Sequence, residues 1–275
     1  MTRKLYLFWT GDNPLSDHYE RSLESMTNTG LEPVLITGRN LHDVVPKDRL
    51  HPAYPYLNLA HRADYLRCYV MKHHGGAYSD LKYPPTSWIP AFDALESDPD
   101  AWASGYRETS PRGVADLYMS SRQLKEGLIA NIQAQVQWRR LQWHYKTLIG
   151  TCAFIFKPNT PLVDAWWQAL NERLDALHPR LERHPAKYPK EQPGAVYEGE
   201  RSRYPVPWTY LLGDILHPLA FRYSEHLRYD VPKPIRLELF NEVQTKTSST
   251  LANLSSETQR YHPQVGGKAP DDEHP

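Results

Sequence analysis

The stretch that decides the fold is residues 59–82, which read LAHRADYLRCYVMKHHGGAYSDLK. Its first part predicts a helix over Asn58–His73, because apolar side chains recur there at helical spacing. These inner-face positions are Leu59, Ala63, Leu66 and Val70. The Gly75-Gly76 pair ends the helix, and Ala77–Leu81 reads as a short strand that stops before two prolines.

Outward from this stretch, strands and helices alternate. Lys4–Trp9 predicts a buried strand, Asp17–Met26 a helix and Leu31–Gly38 a second strand. This order implies a parallel pair of strands with a right-handed crossover. Later expected elements are strands at Trp102–Tyr106 and Gly150–Lys157, helices at Leu162–Leu177 and Trp208–Leu219, and short elements at Phe221–Tyr229 and Ile235–Phe240. We therefore predict an α/β fold with a mostly parallel sheet flanked by helices.

Three segments lack a clear period. Residues 111–145 are polar and only partly helical in pattern, and His178–Arg203 predicts a long surface loop. Ser, Thr, Asn and Gly become frequent after residue 244. We expect one domain over residues 1–244 with long C-terminal loops, and a tail over residues 245–275 that is either flexible or covers the active site.

Composition excludes several classes of protein. The 275 residues carry a net charge of zero, which argues against a protein that binds nucleic acid through a broad basic surface. For the same reason we expect no polybasic patch that would bind an anionic membrane. The apolar runs are too short for a transmembrane segment. Two cysteines form neither a disulfide framework nor a zinc motif, so a cytoplasmic location is expected.

The chemistry of the central stretch follows from its geometry. Asp64 and Arg67 are three residues apart on a helix and share a face. Asp80 and Lys82 come at the carboxyl end of a strand, the edge where α/β sheets bind ligands. A nucleotide-sugar there needs a hydroxyl acceptor, positive charge for its diphosphate and a wall for its base, which Asp64, Arg67 and Trp9 can supply.

The same residues resemble a known pattern. The segment is similar to the sugar-binding region of DXD-type glycosyltransferases of family 32 and the capsular-polysaccharide-synthesis group, with the clostridial glucosylating toxins more distant. The residues that match in order and spacing are Ala60, Asp64, Arg67, Tyr69, Gly75, Gly76, Tyr78 and Asp80. The likeness extends over about residues 4–175, with its specific part between 60 and 80.

The resemblance implies a GT-A fold, which is Rossmann-like, and transfer of a sugar from a nucleotide-sugar, commonly UDP-linked, to a glycan or other hydroxyl acceptor. It also implies retention of anomeric configuration. We expect Asp80 and Lys82 to be catalytic, with Asp80 at the site of any divalent metal (Mn²⁺ or Mg²⁺). The expected donor-binding residues are Trp9, Thr10, Gly11, Arg62, Asp64, Arg67, Gly76 and Tyr78.

Two positions depart from the family pattern. Ala63 replaces a serine, and Lys82 replaces the second aspartate of the motif, where an ammonium would repel a divalent cation. Three readings remain open for Lys82: it neutralises the diphosphate in place of a metal, Asp80 and another group hold the metal, or the site is inactive. We favour a weakened or absent metal requirement.

Other functions remain open as alternatives. The chain could be a non-catalytic nucleotide-sugar-binding relative with a degenerate metal site. It could also be an interaction module that uses the Pro-rich segment His178–Pro207. Spacing alone would make Asp64 and Arg67 a plain intrahelical ion pair.

Overall fold

The fold is described by a computed structural model over residues 1–235. The first half contains β1 (Lys4–Trp9), α1 (Asp17–Ser25), β2 (Glu32–Thr37), α2 (Leu41–Val44), α3 (Leu59–His73), β3 (Gly76–Ser79), α4 (Ile89–Ser97) and β4 (Ala103–Arg107). The second half contains α5 (Leu117–Leu124), α6 (Leu128–Trp143), β5 (Ile149–Phe156), α7 (Pro161–Arg183), β6 (Val196–Tyr197), β7 (Glu200–Arg201), α8 (Gly213–Arg222) and β8 (Leu227–Arg228). The predicted tail at 245–275 and most of the predicted element Ile235–Phe240 lie outside the described residues.

The central sheet of the described residues has six strands in the order β2-β1-β3-β5-β4-β8. β5 runs antiparallel to both of its neighbours, and the other five strands share one direction. The sheet is therefore mostly parallel, as the sequence predicts, with one reversed strand inserted at its centre. The carboxyl ends of β1 and β3 meet the first residues of β5 at one edge, because β5 runs the opposite way.

Both faces of the sheet are buried. Along β5, Phe154 and Phe156 belong to one core cluster, and Ala153 and Ile155 belong to the other. The period of two residues in a strand produces this alternation. Helices α3, α7 and α8 cover the face of Phe154, and α4 covers the opposite face. The layers are those of an α/β fold, compatible with a Rossmann-like arrangement.

Most of the predicted elements are confirmed. The helix α3 coincides with the predicted one, and β1, β2, β4 and β5 lie within two residues of their predicted bounds. β3 is shorter than expected, since it ends at Ser79. The helix predicted over Trp208–Leu219 begins later, at Gly213, and runs on to Arg222. The segment 111–145, which the sequence does not resolve, contains α5 and α6.

One boundary is wrong for a physical reason. The sequence predicts that α7 ends at Leu177 and that a loop begins at His178. In the structure this helix continues through Pro179 to Arg183. Leu181 is fully buried beyond that proline, and Leu177 is nearly so. Burying such leucines contributes about 1.5–3 kcal/mol each. Packing therefore offsets the cost of an interior proline, which is about 3 kcal/mol.

Residues Met1–Pro234 form one compact unit. Among the described residues, none of the helices has the length and apolar character that crossing a bilayer requires.

Candidate functional site

The helix α3 is held at both ends. Its cap residue, Asn58, accepts a hydrogen bond on its side chain from the backbone N–H of His61 at 2.7 Å. At the other end, Gly75 has a φ of +63°, and its N–H reaches the carbonyl of Val70 at 3.0 Å. These contacts satisfy backbone groups that the helix termini leave free. They fix the register of α3, and with it the face that carries Asp64 and Arg67.

The strand β3 delivers Asp80 to the carboxyl edge of the sheet. The backbone N–H of Asp80 donates to the carbonyl of Cys152 on β5 at 2.8 Å. Two residues later, the N–H of Lys82 donates to the carbonyl of Asp80 at 2.7 Å, which turns the chain sharply. This turn brings the Lys82 side chain back over Asp80 instead of letting it point away as it would in a regular strand.

Three side chains converge on the Asp80 carboxylate. Its Oδ1 accepts from the Tyr78 hydroxyl at 2.6 Å and from Arg67 Nη2 at 3.3 Å, and its Oδ2 accepts from Lys82 Nζ at 2.8 Å. Both carboxylate oxygens are therefore engaged, one by a neutral donor and a guanidinium, the other by an ammonium. We call Asp64, Arg67, Tyr78, Asp80 and Lys82 the Asp80 cluster.

Arg67 links the two carboxylates of this cluster. Its Nη1 lies 3.5 Å from Asp64 Oδ1, and its guanidinium carbon lies 4.4 Å from the centre of the Tyr78 ring. The same Nη1 donates to the carbonyl of Thr151 at 3.3 Å. The guanidinium is therefore held by charge, by a ring face and by the backbone of β5, a degree of positioning that suits phosphate recognition.

The charges of Asp80 and Lys82 reinforce each other. Burial opposes ionisation of Asp80, but Arg67 and Lys82 outweigh it and hold the pKa of the carboxyl below its ordinary value. Burial also disfavours the Lys82 ammonium, yet the Asp80 carboxylate raises its pKa above the ordinary value. Both groups are therefore charged at neutral pH.

Asp64 differs from Asp80 although both belong to one cluster. Burial raises the pKa of Asp64 to about 6, with Asp80 adding to the rise and Arg67 opposing it. Asp64 is then ionised at pH 7 but takes up a proton in mildly acidic solution. Below about pH 6 such a group gains an O–H that donates a hydrogen bond and loses part of its capacity to accept.

The charged side chains of the cluster differ in how far they are exposed to solvent. The exposed fraction of the side chain is 10% for Asp64, 14% for Arg67, 24% for Asp80 and 29% for Lys82. Asp80 and Lys82 are therefore the most accessible of these four side chains. Lys82 has three N–H bonds, and within the described part of the chain Asp80 and the Cys152 sulfur accept from two of them. The third is available to an anion.

The turn after β1 lies at the same edge. Thr10 donates from its hydroxyl to the carbonyl of Leu59 at 2.7 Å, which ties this turn to the first turn of α3. A Cβ at Gly11 would lie 3.0 Å from a Leu59 methyl, so glycine permits that close approach. The Trp9 ring lies 5.1 Å from the Tyr19 ring, and its Nε1–H donates to the carbonyl of Asn13. Both rings are partly exposed, so together they form an aromatic surface at this turn.

Two predicted donor-binding residues lie outside the cluster. The Arg62 guanidinium donates to the carbonyl of Pro55 at 2.7 Å and lies near the Tyr54 ring, because it projects from another side of α3 than Arg67. Gly76 lies at the amino end of β3, where a Cβ would come within 3.1 Å of the Lys4 carbonyl. Its conformation, with φ of +101°, and this close packing explain the glycine.

The structure adds Cys152 and Thr151, which sequence reasoning did not place in the site. The Cys152 sulfur accepts from Lys82 Nζ at 3.1 Å, and burial raises the pKa of its thiol. Both residues lie on β5, which pairs antiparallel to β3 with Ser79 opposite Ala153. Only a prediction of that pairing could have found them, and the local pattern of β5 does not reveal its direction.

The residues present do not fit a divalent metal at Asp80. Both of its oxygens already accept hydrogen bonds, and an ammonium lies 2.8 Å from one of them. Within residues 1–235, no group of three or more His, Cys, Asp and Glu side chains could hold a metal ion. A cation bound to Asp80 would have to displace Lys82 and face its positive charge.

The Pro-rich segment after α7 folds into a small hairpin of β6 and β7 and lines a cleft of about 710 Å³. Tyr204 lines this cleft, and its hydroxyl forms a hydrogen bond of 2.8 Å with Nδ1 of the buried His61 in α3. The cleft therefore adjoins the amino end of α3, as does the turn at Thr10.

No model of a known protein family matches this chain, and no curated protein sequence matches it either.

Proposed function

We propose that this protein is a glycosyltransferase that uses a nucleotide-sugar donor, UDP-linked by preference, and a glycan or other hydroxyl acceptor. The observation that supports the proposal is the convergence of Arg67 and Lys82 on Asp80 at the carboxyl edge of the sheet. A diphosphate leaving group needs fixed positive charge where its own charge grows. The proposal carries with it a GT-A type of fold.

In the proposed reaction, the acceptor oxygen attacks the anomeric carbon of the donor sugar. The bond from that carbon to the diphosphate oxygen breaks, and the nucleoside diphosphate leaves with the electron pair. The acceptor proton passes to the leaving phosphate, so no protein base is required if configuration is retained. The protein contributes position and charge, which can together account for most of such a rate enhancement.

Each residue of the cluster has a role in this proposal. Lys82 donates to the diphosphate in place of a metal, and Arg67 neutralises the second phosphate. Asp80 holds both cations in position and accepts from a sugar hydroxyl. Asp64 accepts from hydroxyls of the ribose or the sugar. The aromatic surface of Trp9 and Tyr19 flanks the base.

The test is donor turnover in the absence of acceptor. We would measure release of nucleoside diphosphate from UDP-, GDP- and dTDP-sugars, in EDTA and in Mn²⁺, for the wild type and Asp80→Asn. The matched control is Asp93→Asn. Asp93 is an exposed carboxylate on α4, away from the Asp80 cluster, and it pairs with Arg3. We expect the wild type to release nucleoside diphosphate from one donor in EDTA. The release rate should fall about 100-fold in Asp80→Asn and stay unchanged in the control.

Two results would contradict the proposal. Donor binding without release, with every hydroxyl acceptor tried, would favour the non-catalytic nucleotide-sugar-binding protein. Failure to bind any donor, with Asp80→Asn and the wild type equally folded by circular dichroism, would refute both functions.

A further inference from the structure

The helix α6 presents an apolar stripe to solvent. Five large apolar side chains of this 16-residue helix are exposed to between 51% and 86%: Leu128, Ile129, Ile132, Val136 and Trp143. Trp143 is the most exposed of them. Single exposed apolar residues are ordinary, but five that share one side of a helix mark an interaction surface.

The stripe lies opposite the face that α6 uses for packing. At 100° per residue, the five side chains fall within an arc of about 100°. The packed residues Ala134, Trp138 and Leu141 fall on the other side of the helix, against the core. α6 is therefore apolar on two opposite faces, and the fold of residues 1–235 buries one of them.

Positive charge lies within and beside the stripe: at helical spacing Arg139 falls inside its arc and Arg140 next to it. α6 contains no Asp or Glu, and the segment 117–147 has five basic residues against one acidic residue, a net charge of +4 in a chain whose total is zero. The basic residues are all exposed: Arg122, Lys125, Arg139, Arg140 and Lys146. The net charge of the whole chain conceals this local excess.

We propose that α6 docks this protein onto an anionic lipid bilayer. The helix, about 24 Å long, lies along the surface with its stripe at the boundary between headgroups and acyl chains, and the arginines bind lipid phosphates. An exposed tryptophan beside arginines is typical of such interfacial helices. Each basic residue near an anionic surface adds to the attraction between the helix and the bilayer.

The charge distribution favours the bilayer over other partners. A second copy docking stripe to stripe would bring two clusters of five cations together, which disfavours association. A nucleic acid would pair with the cations, but its phosphates would leave the five central apolar side chains without a partner. An anionic bilayer supplies both an apolar layer and negative charge in one surface.

The test is co-sedimentation of the 275-residue chain with vesicles, and its readout does not depend on turnover. One vesicle set is phosphatidylcholine alone, and the other contains about 30% phosphatidylglycerol. The stripe variant is Ile132→Ser with Trp143→Ser, and the charge variant is Arg139→Gln with Arg140→Gln. The controls are Trp208→Ser, an exposed tryptophan elsewhere, and Arg21→Gln with Arg39→Gln, exposed arginines elsewhere.

We expect the wild type and both controls to bind the anionic vesicles, with weaker binding at high salt. The stripe variant should bind at least about tenfold more weakly and the charge variant severalfold more weakly. Three outcomes would overturn the proposal: no binding by the wild type, equal binding by the stripe variant, or a dimer that dissociates only in the stripe variant on gel filtration with light scattering.

Discussion

Asp80 and Asp214 are both carboxylates that the fold removes from most solvent, and each has an arginine nearby. At Asp80, Arg67 and Lys82 donate to the carboxylate itself. At Asp214, in the first turn of α8, Arg173 donates instead to the backbone carbonyl of the same residue at 3.3 Å. Among the described residues, none donates a hydrogen bond to the buried Oδ1 of Asp214. The two regions contain similar residue types but direct their cations differently.

The difference appears in ionisation and access. Burial raises the pKa of Asp214, with the Ser120 and Thr209 side chains opposing the rise, whereas the pKa of Asp80 is lowered by its cations. Asp214 is 4% exposed, too little for a ligand to reach it, and the Asp80 side chain is 24% exposed. A buried acid beside an arginine is therefore not a site by itself. Convergence of cations at an accessible edge distinguishes the Asp80 cluster.

Lys82 should show the largest effect. We expect Lys82→Met to lower donor turnover about 100-fold in EDTA, because the proposed diphosphate loses one of its two cations. Lys82→Asp places a second carboxylate beside Asp80 and should make turnover dependent on Mn²⁺, with little activity in EDTA. Steady-state rates in both buffers measure this. Full activity of Lys82→Met in EDTA would remove Lys82 from the proposed chemistry.

Asp64 should give the next largest effect, through pH. Because burial raises its pKa to about 6, donor affinity should increase as pH rises from 5 to 7.5 and the carboxylate becomes able to accept from two hydroxyls. Asp64→Asn should weaken donor binding about tenfold at pH 7.5 and flatten the profile. Isothermal titration at several pH values measures both, with Asp93→Asn expected to keep the wild-type slope. A wild-type affinity that does not change with pH would contradict this role.

Asp214 should give the smallest effect, on stability alone. Because burial raises the pKa of Asp214 in the folded state, the fold favours the protonated carboxyl. The free energy of unfolding therefore falls as pH rises above the ordinary pKa of a carboxyl. Asp214→Asn should therefore stabilise the protein on the order of 1 kcal/mol at pH 7.5, less at pH 4.5, with turnover unchanged. Asp80→Asn should do the reverse at pH 7.5, because its ionised form is the one that the fold stabilises.

Urea denaturation of both variants at the two pH values measures this contrast. If Asp214→Asn abolished turnover while remaining folded, the distinction between the two carboxylates would fail.

Much of the fold could be predicted from local pattern. The helix α3 and the strand–helix–strand start carry strong periodicity and clear caps, so their bounds follow from residues such as Asn58 and Gly75. The pairing of Asp64 with Arg67 follows from helical spacing, and the place of Asp80 follows from its position after a strand. These relations are short in sequence, and backbone geometry determines them without knowledge of the rest of the chain.

Other features depend on residues far apart in sequence. The antiparallel insertion of β5 brings Cys152 to Lys82, and packing of Leu181 extends α7 through Pro179. Arg67 projects from the side of α3 that faces β3 and joins the Asp80 cluster. Arg62 projects from another side of the helix and does not.

By itself, then, the sequence determined most strands of the central sheet and their mostly parallel order, the helix α3, and the two acids and two cations of the candidate site. Only the tertiary structure decided that Lys82 turns toward Asp80, and that α6 packs by one apolar face and exposes another. The physical reason is the same in each case. Local propensity and periodicity act over a few residues, whereas burial and charge pairing depend on which distant segments the fold brings into contact.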